Sequence, residues 1–428
     1  MPSCESFYCK SGGKMKEKLF AYLDNSIDLA IDLETGLTKR PAISPDSGGE
    51  GELDKCIFLQ SWLKERGITQ LERFDAPDTR AKGGIRPNLI ATITGTDSDE
   101  NGRFWILGHM DVVPPGDEKL WDSDPWTAVR RDDPPGLRLI GRGVEDNQQG
   151  IVSPILAALA FTAQGLKPQR TIKLLFASDE EVGSAYGINW LVENHGNLFR
   201  KNDMVLVPDG GDLKGELIEI AEKNMLWVKF MTHGKQTHGA MPDTGANAYL
   251  AGADLTVRLH EGLCAKFAER DPLFDPDYST FQPTKKEANV PNVNTIPGED
   301  VFYMDMRILP RYSPGEVLAE IDRIKAEVES KYHVTIEYSL FQSVVSKPTA
   351  AGAPIVKMLS KAVTEVYGVL PKPIGIGGGT MAAALRNVGI DCTVWTKTDR
   401  SLHKPNEYAL VENIIGDAKV MALLAMGS

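Results

Sequence analysis

The sequence lacks a CxxC pair, an uninterrupted apolar run of 18 residues and a basic run of five. The first absence excludes a zinc site built from cysteines. The second excludes a helical membrane span. The third, with 47 Lys and Arg against 59 Asp and Glu for a net charge of −12, removes the basic surface that a nucleic-acid partner needs. The five cysteines, at positions 4, 9, 56, 264 and 392, are too few and too scattered for a disulfide framework and fit reduced thiols in the cytoplasm. The first dozen residues contain no apolar h-region, so they read as a poorly ordered tail and not as a secretory signal. No GxSxG elbow is present, which disfavours a serine hydrolase. The Gly-rich GIGGGT at 375–380 is neither GxGxxG nor a Walker A motif, which disfavours a nucleotide-dependent enzyme.

What is present is ordinary globular composition, 42 % apolar and 25 % charged, over 428 residues. That length suits about two domains. Helical spacing at Leu19, Phe20, Leu23 and Ile27, and at Leu53, Ile57 and Leu63, alternates with strand-like runs at 89–94, 104–107, 137–140, 172–177 and 204–207. A helix is expected over 151–164. This alternation predicts an α/β layer fold with a mostly parallel sheet. From about 216 to 340 the pattern becomes four strands (216–221, 227–232, 301–308, 334–340) and two helices (247–263, 314–331), joined by a Pro- and Asp-rich loop. That is the make-up of a small α+β sandwich. The expected organisation is a catalytic domain over 1–214 and 344–428, interrupted by an inserted domain over 215–343.

In an open α/β sheet, ligands sit beyond the carboxyl ends of the strands. The run 104–107 leads into His109 and Asp111, 137–140 into Glu145 and Asp146, 172–177 into Asp179, Glu180 and Glu181, and 204–207 into Asp209. A late loop adds His403. Each piece alone is bland: a lone HxD or DEE is usually solvated surface, and PDGG is a turn. Their fall at successive strand ends carries the inference. Two His and several carboxylates around one cleft suit zinc, cobalt or manganese. The carboxylates would repel one another without a cation. Five ligands are enough for two ions that share a carboxylate. His109 and Asp111, two apart in extended backbone, point the same way, so Asp111 is expected to accept the second imidazole N–H. Glu180 and Glu181 are expected to diverge, one as ligand and one free as a general base.

The motifs GHMDVVPPGD (108–117), GRGVED (141–146), ASDEEVGS (177–184), VPDGG (207–211) and SLHKPNEY (401–408) occur in this order. With them the chain resembles the co-catalytic zinc family of aminoacylase, acetylornithine deacetylase, succinyl-diaminopimelate desuccinylase, carboxypeptidase G and cytosolic dipeptidases, over nearly its whole length. The resemblance implies two divalent ions, zinc first and cobalt or manganese as alternatives. One is held by His109 and Asp209, the other by Glu181 and His403, with Asp146 bridging. It implies that Asp111 orients His109 and that Glu180 moves a proton from the attacking water to the leaving amine. It makes the inserted domain a ferredoxin-like lid and dimerisation domain. There the THGAMP segment (237–242) offers His238 to polarise the scissile carbonyl, and Asn294 and Arg307 match substrate-binding positions. Gly378, Gly379 and Thr380, expected to open a helix, could hold a substrate carboxylate on free N–H groups.

The implied activity is hydrolysis of an amide bond next to a free carboxylate, in a dipeptide or an N-acyl amino acid. The implied protein is a cytoplasmic homodimer without nucleic-acid or membrane partners. A catalytically silent binding module is the competing reading, and it predicts loss of a ligand or of Glu180, which the sequence does not show. Two departures stand out. Asn147-Gln148-Gln149 follows Asp146 where the family often has Lys before Gly, a change expected to alter the surroundings of the ligands without touching one. The segment 130–136 reads as an insertion.

Overall fold

The computed structural model describes residues 4–427, with side chains from residue 13 onward. Helix begins at Cys4 and runs to Asp24, so most of the expected N-terminal tail is helical backbone, and residues 1–3 lie outside the described residues. The chain forms two compact units. The larger comprises 1–220, 349–373 and 380–428; the smaller comprises 221–348 and 374–379.

The larger unit is built on an eight-stranded sheet. Its strands lie in the order Leu71–Pro77, Ile85–Ile93, Ile172–Ala177, Phe104–His109, Met204–Asp212, Cys392–Lys397, Leu217–Glu222 and Lys372–Ile376. The four central strands, from Ile172–Ala177 to Cys392–Lys397, are parallel, while Leu71–Pro77 with Ile85–Ile93, Ile85–Ile93 with Ile172–Ala177, and Leu217–Glu222 with Cys392–Lys397 pair antiparallel. The central strands are buried on both faces, which explains their continuous apolar runs. On one face Leu107, Leu175 and Val205 pack against Ile188, Leu191 and Leu385 of two short helices. Helix Gln149–Thr162 is buried almost throughout, as its Ala- and Ile-rich sequence requires.

One sequence expectation fails here for a local reason. The run 137–140 is not a strand of the large sheet. As Gly136–Ile140 it forms a hairpin with Val129–Asp133 around Pro134-Pro135, and Tyr408–Leu410 completes an antiparallel three-stranded sheet. The 130–136 segment is that hairpin. The fourth parallel strand is Cys392–Lys397 instead.

The smaller unit has four antiparallel strands in the order Thr280–Lys286, Glu299–Ile308, Asn224–His233 and Thr335–Val344. Helices Ala248–Lys266 and Pro314–Tyr332 complete a βαββαβ unit in which the first strand lies between the third and fourth, the ferredoxin-like arrangement. Its core joins Leu255, Leu259, Ile321 and Val328 of the helices to Phe230 and Phe302, whose rings stack 4.9 Å apart. The expected strand at 216–221 belongs to the large sheet. Its place is taken by Thr280–Lys286, which the sequence hides in a loop. This strand sits at the sheet edge, carries Pro283 at a register shift and ends in lysines, all devices of an edge strand. The second helix starts at a full capping box, with Ser313 and Glu316 bonding reciprocally.

Candidate metal centre

The site lies at the carboxyl ends of the four parallel strands. His109 is the last residue of its strand. Asp209 sits inside Met204–Asp212. Glu180 and Glu181 form the turn that follows Ile172–Ala177. His403 lies in the loop after Cys392–Lys397. Asp146 comes from the turn ahead of helix Gln149–Thr162.

These side chains converge. His109 Nε2 is 3.1 Å from Asp146 Oδ1 and 3.5 Å from Asp209 Oδ1. His403 Nε2 is 3.1 Å from Asp146 Oδ2 and 3.2 Å from Glu181 Oε2. Asp146 therefore faces one imidazole with each oxygen. Donor atoms of His109, Asp146 and Glu181 lie within 4.8 Å of one another, and so do those of His109, Glu180 and Asp209.

The expected divergence of Glu180 and Glu181 rested on extended backbone, and the chain is not extended there. Asp179, at φ 70°, reverses the backbone into a single 3-10 turn. Asp111 fixes that turn, since its two carboxylate oxygens accept the N–H groups of Glu180 (3.0 Å) and Glu181 (2.9 Å). Asp111 also orients His109, but mainly through its backbone carbonyl, 3.0 Å from Nδ1; its carboxylate is 3.5 Å away. That leaves Nε2 of His109 facing the carboxylates.

A ring of buried groups supports this centre, and sequence reasoning missed it. Arg86, fully buried, forks onto Glu52 and reaches Asp179 Oδ1 at 2.9 Å. Lys55 Nζ donates to the Met110 carbonyl at 2.8 Å, between His109 and Asp111. Asn147 does touch a ligand. Its Nδ2 donates to Asp209 Oδ1 (2.9 Å) and to the Pro208 carbonyl (2.7 Å), while its Oδ1 accepts the His109 N–H (3.2 Å). Gly108 and Gly150 make room for it: a Cβ on either would come within 3.0 Å of the Asn147 amide oxygen. The only signal in the sequence was the departure from the family pattern at that position.

Electrostatics point to missing positive charge. Burial pushes the Glu180 carboxyl well above its usual range, and the charge of Asp209 adds to this. The carboxylates of Asp146 and Glu181 raise the His403 imidazole to about 10. His109 is likewise held well above the usual range, because Asp209, Asp111 and Asp146 outweigh its burial. Glu181 Oε1 is buried with no hydrogen-bond partner. An imidazole and carboxylate donor set with an orphaned buried oxygen fits divalent cations.

The remaining expected residues lie apart from this centre in the chain. His238 pairs with Thr295 in a two-stranded ribbon, and the Gly239 N–H bonds the Asn294 carbonyl, so these two segments meet. Arg307 is tied to Asp305 (2.7 and 3.0 Å) and donates to the Gly377 carbonyl (2.8 Å), which places it beside the Gly-rich loop. That loop does not open a helix directly. The helix begins at Ala382 and is six residues long, and the Thr380 hydroxyl accepts the Ala382 N–H at 3.1 Å. Gly379 thus lies three residues ahead of the helix start.

The model of peptidase family M20/M25/M40 matches residues 105–427. The chain belongs to that family. An uncharacterized metallohydrolase of Methanococcus maripaludis is 37 % identical over 412 residues, covering 92 % of this chain and 98 % of the relative. A succinyl-diaminopimelate desuccinylase of a Ruegeria species is 30 % identical over 393 residues, covering 90 % and 91 %. Among solved structures, the dipeptidase Dug1p of Saccharomyces cerevisiae shares the fold at a TM-score of 0.74 and 18 % identity, over 96 % of this chain and 98 % of that one. The dinuclear metal-binding M20 peptidase YXEP of Bacillus subtilis does so at 0.64 and 17 %, over 94 % and 97 %. This M20 chain is thus a metal-dependent hydrolase.

Because His403 holds its proton to about pH 10 without metal, cation binding must displace protons. Apparent zinc affinity should rise steadily from pH 6.5 to 9, with log K climbing by about 1 per pH unit for each proton displaced. Calorimetry in buffers of different ionisation enthalpy reads both quantities. A pH-independent affinity would contradict this electrostatic picture.

Proposed function

We propose that the chain is a two-metal amidohydrolase that cleaves a dipeptide or an N-acyl amino acid at the amide bond next to a free carboxylate. The observation that carries this is the position of Asp146, with one oxygen 3.1 Å from His109 and the other 3.1 Å from His403. His109 and Asp209 would hold one divalent ion, Glu181 and His403 the other, and Asp146 both. Zinc is the favoured metal, with cobalt or manganese as alternatives. Such ions, when bound, lower the pKa of a water to about 7 and polarise the scissile carbonyl.

The chain's own groups do the rest. Glu180 is half-buried beside His109 and Asp209, and its carboxyl is raised above the usual range, the direction that favours a group able to take up a proton. Its carboxylate takes the proton of the attacking water and delivers it to the leaving nitrogen. His238 is exposed, and its Nδ1 accepts the Ala240 N–H, which leaves the proton on Nε2. An Nε2–H is the donor that a developing oxyanion needs. Arg307 is half-buried, with its Nε and Nη2 on Asp305, and would take the substrate carboxylate on its remaining Nη N–H groups, with exposed Asn294 on the same unit. The desuccinylase relative supports an N-acyl substrate, and the dipeptidase neighbour supports a dipeptide.

The smaller unit also supports a homodimer. Leu250 and Val257, seven apart on one helix and each about half exposed, give it an outward apolar face beside Tyr249. No helix is long and apolar enough to cross a membrane among the described residues. The thiols of Cys56 and Cys264 are free, which favours a reducing, cytoplasmic setting.

Metal-stripped protein should be reconstituted with zinc, cobalt or manganese and offered N-acetyl, N-succinyl and N-carbamoyl amino acids beside simple dipeptides. We expect one of these groups to turn over, and Glu180→Gln to lose about 10²- to 10⁴-fold in kcat with both ions retained. Near-normal turnover in Glu180→Gln would remove that residue as the base. Sedimentation as a monomer would remove the homodimer.

A further inference from the structure

Two loops meet at Asp146 and His403, and each sends one buried carboxylate into the other. Glu145, from the 141–146 loop, is buried and receives five hydrogen bonds from the 398–402 loop. Its Oε1 accepts the Thr398 hydroxyl (2.5 Å) and the Asp399 N–H (2.7 Å). Its Oε2 accepts the Ser401 N–H (2.5 Å), the Ser401 hydroxyl (2.7 Å) and the Leu402 N–H (2.8 Å). In the opposite direction Glu407, fully buried, returns from the late loop. It accepts Arg142 Nη1 (2.5 Å) and the N–H groups of Gly143 (3.2 Å), Glu145 (3.0 Å) and Asp146 (3.0 Å). The two exchanges flank the three-stranded sheet, in which Tyr408 pairs with Ile140.

The two ends of this exchange need it unequally. Asp146 has 13 % of its side chain exposed and is backed by the fold. The His403 ring is about half exposed, so packing does not fix it. Its loop holds Arg400, His403 and Asn406 at φ of 58–60°, a backbone shape that non-glycine residues adopt only when held there. Glu145 binds the residues immediately before His403.

We propose that Glu145 and Glu407 form a reciprocal carboxylate clamp in which Glu145 positions His403 for the second metal site, while Glu407 positions Asp146 for both. Glu145 is a positioning residue and touches neither ion nor substrate. The inference rests on the two-metal reading above and assigns each half of the clamp a different consequence. Replacing the Glu145 carboxylate by an amide sets an NH2 group against at least one of the N–H donors of Asp399, Ser401 and Leu402, so the 398–402 loop is held less firmly. The His109–Asp209 side has no bond to that loop through Glu145 and keeps its geometry.

The test is stepwise zinc binding by calorimetry to the metal-stripped full-length chain, with the absorption spectrum of the cobalt-loaded protein as a second readout. Wild type should show two binding steps. Glu145→Gln should keep one step and weaken the other about 10- to 100-fold, as loss of support behind a metal ligand does elsewhere. Half of the cobalt absorption should be lost. Glu407→Gln should weaken both steps. Thr398→Val removes one bond to Glu145 and the bond from the Arg400 N–H, and should weaken the same single step as Glu145→Gln by a smaller factor. Both steps unchanged in Glu145→Gln, or both weakened equally, would overturn the clamp. If Glu145→Gln does not fold, two unchanged steps in Thr398→Val would overturn it. A wild-type isotherm without two steps would instead overturn the two-metal reading itself, and the clamp with it.

Discussion

Asp111, Asp146, Glu180, Glu181 and Asp209 crowd around His109 at one end of the parallel sheet, where burial leaves them little water to disperse their charge. At short range in a poorly polarisable interior such a group repels itself strongly. Protons relieve the repulsion without metal, which is why both imidazoles sit above their usual range. Divalent cations relieve it better, and the fold is arranged so that they can. The sheet brings the donors together, and the turn at Asp179 sets Glu181 beside Asp146 and His403 and Glu180 beside Asp209.

Holding such a cluster demands rigid backing. Asp111 spends both carboxylate oxygens on the Glu180–Glu181 turn, Arg86 pins Asp179, Lys55 holds the Met110 carbonyl, and Asn147 ties His109 to Asp209. Asp111, Arg86 and Lys55 bond the backbone or the carboxylate behind the ligands, while Asn147 reaches the ligand atom Asp209 Oδ1 itself. The late loop is the exception. It carries an exposed imidazole and depends on hydrogen bonds to Glu145 instead of on packing.

Much of this was legible in the sequence because the rule that ligands gather at the carboxyl ends of parallel strands turns a list of motifs into a place. His109, Glu181 and Asp209 follow apolar runs that are strands of the central sheet. Other parts leave no such trace. The run 137–140 looks like a buried strand until its hairpin partner and Tyr408–Leu410 are seen. The edge strand Thr280–Lys286 is too polar and too broken by Pro283 to read as a strand. The Glu180–Glu181 turn depends on a left-handed Asp179, which no periodicity signals. Glu145 and Glu407 lie inside quoted motifs, but most of their partners are backbone N–H groups some 250 residues away, and such bonds impose no pattern on sequence.

The central claim is that Asp146 stands between two cations. Crystals soaked in zinc, with anomalous diffraction collected at the zinc edge, test it directly. The account predicts two peaks about 3.5–4 Å apart, one against His109 and Asp209, the other against Glu181 and His403, each touching one oxygen of Asp146. A single peak, or peaks that leave Asp146 untouched, would contradict it.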